Sequence, residues 1–188
     1  RLLAGASSLK ASVRRDEGGT VLRAMDLVAA SLSATASGTL ATSGSTLDGE
    51  VTIGDLSDLG PPFAGSVDLT AAFSGTPEDG QLAVLGTGRG LRVGSAEADR
   101  LLAGTSAIEA SLLLRNGIVE INEARVANPQ LTASAKGKLD GTVRSIDLDA
   151  RLANLGLIVP EVQGPLTLSG TATQDATGCA LDMSGNGP

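Results

Sequence analysis

Apolar and polar residues alternate one by one along most of this chain. In residues 130–139 one set is Leu131, Ala133, Ala135, Gly137 and Leu139, and the other is Gln130, Thr132, Ser134, Lys136 and Lys138. Residues 31–40 repeat the arrangement, with Leu32, Ala34, Ala36, Gly38 and Leu40 set against serine and threonine. Val67, Leu69, Ala71 and Phe73 alternate with Ser66, Asp68 and Thr70. Ile146, Leu148, Ala150 and Leu152 alternate with Asp147, Asp149 and Arg151, and Leu166, Leu168 and Gly170 with Thr167, Ser169 and Thr171. Ile108, Ala110, Leu112 and Leu114 form another apolar row. Side chains of an extended strand point to opposite faces in turn, so this alternation predicts strands with one apolar and one hydrated face. Such strands pair antiparallel, because parallel sheets are covered on both faces and read as continuous apolar runs.

Turn signals fall between the strands: Asp48-Gly49, Asp79-Gly80, Asn116-Gly117, Asp140-Gly141 and Thr177-Gly178. Asx-Gly pairs are strong hairpin signals. The spacing predicts roughly 14 strands, a sheet on the order of 65 Å across at about 4.8 Å per strand. An open sheet that wide must curl or close. Residues 95–103 read as a short helix, and residues 55–62 and 153–160 as loops ended by proline.

The sequence also resembles itself. RLLAG at residues 1–5 returns at residues 100–104, and with the same offset of 99 SLSATASGTL at 31–40 falls on QLTASAKGKL at 130–139. Gly65-Ser66-Val67-Asp68-Leu69 likewise falls on Gly164-Pro165-Leu166-Thr167-Leu168. Long-period similarity marks repeat architectures, in which each unit buries its apolar side partly on its neighbours. Residues 1–99 and 100–188 are therefore read as two β-repeats of one continuous unit. Neither looks atypical, as terminal repeats do, and this suggests an excerpt of a longer chain.

Composition narrows the functions available. The chain has 188 residues, 41% hydrophobic and almost all of those aliphatic, with only Phe63 and Phe73 as aromatics. Mean hydropathy is +0.17, too apolar for a disordered chain. Net charge is −7, with no basic cluster, so there is no electrostatic footprint for nucleic acid. No signal peptide is visible, and no apolar run approaches the ~18 residues of a membrane span.

Candidate chemistry is sparse. Without histidine there is no imidazole base, His-centred triad or His metal ligand. Cys179, the single cysteine, falls where alternation places an apolar residue and reads as a buried small hydrophobe. Asp48 with Glu50, and Asp147 with Asp149, pair carboxylates on one strand face. Glycosidases use such pairs, but they line the sugar site with aromatics that this chain lacks. The acids read as a hydrated face, and their spacing does not fit a calcium loop. Gly86-Thr87-Gly88-Arg89-Gly90 lacks both the spaced third glycine of a dinucleotide fingerprint and the Lys-Ser/Thr of a P-loop. It reads as a turn connecting strands. Catalysis, cofactor and metal thus find no candidate residues, and a non-enzymatic role is expected.

The apolar rows need a cover. A second sheet, the same sheet folded on itself, or lipid tails would each supply one. The rows are rich in Ala and Gly, which fill a protein core poorly.

Three segments carry a resemblance: GPPFAGSVDLTAAFSGTPEDGQL at 60–82, NPQLTASAKGKL at 128–139 and GPLTLSGTATQDATG at 164–178. Their alternation of glycine, small and apolar residues, ending in Gly-Thr and a short loop, resembles the β-repeat region of the TamB family. These are the inner-membrane subunits of the translocation and assembly module, grouped with AsmA-like bridge-type lipid carriers. The Arg- and Ala-rich version here is similar to alphaproteobacterial members. The resemblance implies an all-β fold, a long curved antiparallel sheet folded lengthwise into a half-open groove. It further implies a periplasmic chain anchored in the inner membrane and meeting the outer-membrane barrel TamA. The expected function is a conduit for phospholipids that supports outer-membrane biogenesis. Acyl chains would lie on Val67, Leu69, Phe73, Ile108, Leu112, Leu131, Leu139, Ile146, Leu148, Leu166 and Leu168. The alternatives are a chaperone-like scaffold that pairs strands with outer-membrane proteins or autotransporters, and an adhesin-like solenoid with a closed, dry core.

Overall fold

The computed structural model describes residues 7–16, 19–116, 118–140, 143–175 and 178–188. Twelve strands form one sheet in chain order, each antiparallel to the next. They are β1 Ser8–Asp16, β2 Gly19–Val28, β3 Leu32–Leu40, β4 Ser45–Ile53, β5 Ala64–Gly75 and β6 Asp79–Arg92, then β7 Thr105–Arg115, β8 Ile118–Ala127, β9 Leu131–Asp140, β10 Val143–Leu152, β11 Leu166–Asp175 and β12 Gly178–Asn186. The fold is all-β and the sheet is open, with β1 and β12 as its two edges.

Several sequence expectations are corrected. Among the described residues there are twelve strands rather than about 14, because segments read as separate are long single strands. Asp48-Gly49 is no turn but the middle of β4, where Gly49 pairs with Ala36 and Ala71. Gly86-Thr87-Gly88-Arg89-Gly90 is likewise internal to β6. Its glycines are there for closeness: a methyl built on Gly86 would run into the Asp68 carbonyl oxygen. Asp79-Gly80 opens β6, and Asn116, at φ 51°, follows β7. Gly117, Gly141 and Thr177 lie outside the described residues.

The two ends of the strands differ. At one end the connections are short turns. At the other, three of the five, those between β4 and β5, β6 and β7, and β10 and β11, are longer and locally capped. Asp55 accepts from Ser57 N at 2.8 Å to start a 3-10 turn at Leu56–Leu59, and Asn154 accepts from Gly156 N at 3.0 Å to start another at Leu155–Leu157. The expected loops therefore carry short 3-10 turns. Between β6 and β7 lies the expected helix, α1 Ala96–Leu101, capped by Ser95.

An offset of 99 residues relates some of these elements. It carries the bounds of β2 onto those of β8, and the start of β3 onto that of β9. It also relates the irregularities. Pairing slips between Ser12 and Val13 in β1 and between Ser111 and Leu112 in β7. It slips again between Leu22 and Met25 in β2 and between Ile121 and Ala124 in β8. No break divides residues 1–99 from 100–188. β6 pairs with β7 continuously from Asp79↔Arg115 to Arg89↔Thr105.

What core there is gathers at the long-connection end. Val67, Leu101 and Leu152 are buried there, and Ser106 is wholly buried. Asn128 ties this end together. Its side-chain nitrogen donates to Leu101 O at 2.8 Å and to Ser106 Oγ at 3.1 Å, while its oxygen accepts from Gln130 N and Leu131 N. Arg100 on α1 reaches Leu157 O at 3.4 Å, so the helix meets the second 3-10 turn. Among the described residues every strand belongs to this one sheet, and no second sheet covers either face.

Candidate functional site

Residues paired across an antiparallel sheet share a face, so the pairing register can be followed from edge to edge. One row runs Leu9, Leu27, Ala34, Val51, Leu69, Gly86, Ile108, Val126, Ala133, Ala150, Leu168, Gly185. Beside it runs Ala11, Met25, Ala36, Gly49, Ala71, Val84, Ala110, Ala124, Ala135, Leu148, Gly170, Met183. A third runs Val13, Leu22, Gly38, Leu47, Phe73, Leu82, Leu112, Ile121, Gly137, Ile146, Ala172, Leu181. No polar side chain interrupts any of the three.

All the residues singled out from sequence stand on this face. Leu69, Ile108 and Leu168 lie in the first row, Leu148 in the second, and Phe73, Leu112 and Ile146 in the third. Val67, Leu131 and Leu166 flank them at the long-connection end, where Leu131 pairs with Leu152 and Leu152 with Leu166. Leu139 flanks them at the short-turn end, paired with Val119 and Arg144. Sequence reading missed the shares of β1, β2, β6, β8 and β12. In β2 and β8 an irregularity interrupts the alternation, and the slip restores Leu22 and Met25, or Ile121 and Ala124, to one face. Cys179 corrects its expectation: it pairs with Gln174 on this side of the sheet, but β12 is an edge strand and the thiol is exposed.

Glycines make the face low and smooth. A methyl built on Gly86 would stand 2.6 Å from Leu69 Cδ2, and one on Gly185 2.9 Å from Leu168 Cδ2. Large side chains therefore lie down over the bare backbone of the next strand. Twelve strands at about 4.8 Å, with rows about 6.8 Å apart, give an apolar area on the order of 1,000 Å². The largest apolar patch on a typical monomer is about 300–600 Å². Away from the edges these side chains are half-buried by one another. The large apolar residues most exposed on this face are on the edge strands: Leu9 at 65%, Val13 at 57% and Leu181 at 65%.

The opposite face is mostly polar and exposed, with Leu85, paired with Thr70, standing on it at 58% exposure. Arg89 Nη1 lies 2.6 Å from Asp68 Oδ2, and Thr52 Oγ1 donates to Asp68 Oδ1 at 3.0 Å. The Arg89 bond, and then the Thr52 bond, hold the Asp68 carboxyl below the usual carboxylate range. A shallow depression of about 610 Å³ on this face is floored by small residues such as Thr35, Ala72 and Ala83, with Asp48 and Glu50 at its sides. Asp147 and Asp149 line another. All four carboxylates are exposed to water.

At the short-turn end polar groups stand toward the two sides of the apolar face. Arg15 pairs with Thr20, and Arg144 pairs with Gln174, to which its guanidinium donates at 3.3 Å. Among the described residues, no group of three or more His, Cys, Asp or Glu could hold a metal, and no helix is long and apolar enough to cross a membrane. No protein-family model, curated protein or solved structure matches this chain.

Proposed function

We propose that this chain is a segment of a non-enzymatic conduit for phospholipids, with acyl chains lying on the apolar face. The observation that carries the reading is the set of three unbroken apolar rows on an open sheet. An apolar area of about 1,000 Å² left to water would cost on the order of 25 kcal/mol. The rows favour a mobile occupant. Each is continuous over every strand, so a tail can shift along it without crossing a polar group. The depth also suits lipid: the outer two of the three rows are about 14 Å apart along the strands, and one leaflet's hydrocarbon is about 15 Å thick. Acyl chains would lie parallel to the strands. Head groups would sit at the short-turn rim, where Arg15 and Arg144 can meet phosphate.

The resemblance to TamB-like carriers supplies the setting: the periplasm, a full-length protein anchored in the inner membrane, and the barrel TamA at the outer membrane. In that setting the sheet would curve around the lipid, and traffic would support outer-membrane biogenesis. A photo-crosslinking residue at Leu112 tests the reading in vesicles that carry a labelled phospholipid. It is expected to label lipid, whereas one at Thr70 on the polar face is not. Labelling that is equal at both positions, or absent at both, contradicts the proposal.

Among the described residues β1 and β12 are the outermost strands of the sheet, and this favours the scaffold reading, since a sheet edge can accept a client strand. A crosslink from β12 to an unfolded outer-membrane polypeptide, with none from Leu112 to lipid, would put that reading first.

A further inference from the structure

Granting the lipid reading above, on which this rests, we infer that the long connections form the floor of the acyl groove and limit the length of tail it holds. Beside the first apolar row, toward the long-connection end, the pairing continues into a fourth: Val67, Gly88, Ser106, then Asn128, Leu131 and Leu152. Ser106 and Asn128 belong to the apolar side by parity, two residues from Ile108 and Val126. This row differs from the other three in two respects. Val67, Gly88, Ser106 and Leu152 are buried, whereas their first-row neighbours Leu69, Gly86, Ile108 and Ala150 are half-buried. It is also broken by polar side chains, those of Ser106 and Asn128.

The cover is the chain's own. Gly90, at φ 59°, bends the end of β6 so that Leu91 folds back over Gly88, where a methyl would stand 2.6 Å from Leu91 Cδ1. Leu101, itself buried, sets its carbonyl oxygen 2.8 Å from Asn128 Nδ2, the same nitrogen that donates to Ser106. Ala153 N donates to Gln130 O, and Arg100 reaches Leu157 O, so the connections after β6, β8 and β10 brace one another. The open stretch runs from the first row, at Ile108, to Leu114 at the short-turn end, about 20 Å of strand. The hydrocarbon of one leaflet is about 15 Å deep, so ordinary membrane tails fit above the floor. A much longer tail meets Leu91 and Leu101, and its surplus methylenes stay outside the groove. Each methylene taken from a bilayer and left in water weakens transfer about fourfold.

Competition between two phospholipids tests this. Vesicles carry dipalmitoleoyl and dinervonoyl phosphatidylcholine in equal amounts, which share one double bond per tail and differ in tail length. The protein is incubated with them and re-isolated, and its lipid is measured by mass spectrometry. The wild type is expected to hold the shorter lipid in about tenfold excess or more, as two surplus methylenes supply. Leu91→Ala, which uncovers Gly88, should cut that excess about fourfold, one methylene's worth. Leu85→Ala, on the polar face of the same strand, should leave it unchanged. Circular dichroism checks that both variants keep the β spectrum of the parent. A second measurement needs no variant: phosphatidylcholine with a photoreactive diazirine at the tail terminus should attach to first-row residues and Leu91, and not at the short-turn end. Equal capture of both lipids by the wild type, an excess that folded Leu91→Ala leaves intact, or terminal attachment spread evenly along the strands would each overturn the floor and leave the lipid reading standing. Capture of neither lipid would overturn the lipid reading, and the floor with it.

Discussion

The ring of Phe73 lies over Gly80: a methyl built on Gly80 would stand 2.8 Å from two ring carbons. Gly80 is buried although the sheet has no second layer above it. The aromatic supplies the cover that a neighbouring sheet would otherwise give. Phe73→Ala should therefore cost about 2–3 kcal/mol, below the roughly 3–5 kcal/mol of buried aromatic truncations because the ring is half-exposed. At about 2–4 °C per kcal/mol for a chain of this size, that is a fall in Tm of roughly 4–12 °C. The chain has no Trp or Tyr, so circular dichroism is the appropriate monitor.

Asn128 and its counterpart Ala29 make the same main-chain corner. Asn128 N donates to Leu131 O, and Ala29 N to Leu32 O, each at 2.8 Å. The corner thus forms without a carboxamide. What Asn128 adds is a donor to the buried Ser106 and to Leu101 O. Asn128→Asp keeps the acceptor and removes the donor, so it should destabilise by about 1–3 kcal/mol through the stranded partners. A thermal melt checks this. An unchanged Tm would mean that water replaces the carboxamide at no cost.

Asp68 should titrate below the ordinary carboxylate range, because its ionised form accepts from Arg89 and Thr52. The stabilisation that follows is fully present above the unfolded-chain value, about 3.9. It is lost as pH falls through the lower, folded value. Carboxyl NMR of the wild type should show the depressed midpoint. Arg89→Ala should raise it, while the Thr52 bond keeps it from returning fully.

The strand faces were legible where alternation is unbroken, as in β3, β5, β7, β9, β10 and β11. There, residue parity alone placed every singled-out residue on the observed apolar face. β2 and β8 were hidden because Arg23 and Ala24, or Asn122 and Glu123, shift the parity midway. Glycine misled in β4 and β6. Gly49 and Gly86 look like turn residues, yet they sit mid-strand, where a side chain would press on a neighbouring strand. Cys179 was misplaced because parity gives the face of a strand and not whether that strand is an edge. The cover of the apolar face was not legible at all, since sandwich, fold-back and lipid conduit share one alternation.

Gly137 offers a test of that strand-internal role. A methyl there would run into the Ser145 carbonyl oxygen, and the corresponding Gly38 has the same relation to Thr46. Gly137→Val should part β9 from β10 and destabilise by more than about 2 kcal/mol. A Tm equal to the wild type would contradict the close approach.

The most direct test of the lipid reading is native mass spectrometry of the purified chain, with lipid extraction from the same sample. Leu148 and Leu168 stand on neighbouring strands in the apolar rows. An arginine at either would set a charge on the acyl path, at about 2.5–3.5 kcal/mol by bilayer-insertion scales. The expected result is co-purifying phospholipid that is lost in Leu148→Arg and Leu168→Arg while the β spectrum by circular dichroism is retained. A stable, monodisperse wild-type chain free of lipid, or folded arginine variants that keep it, would contradict the account.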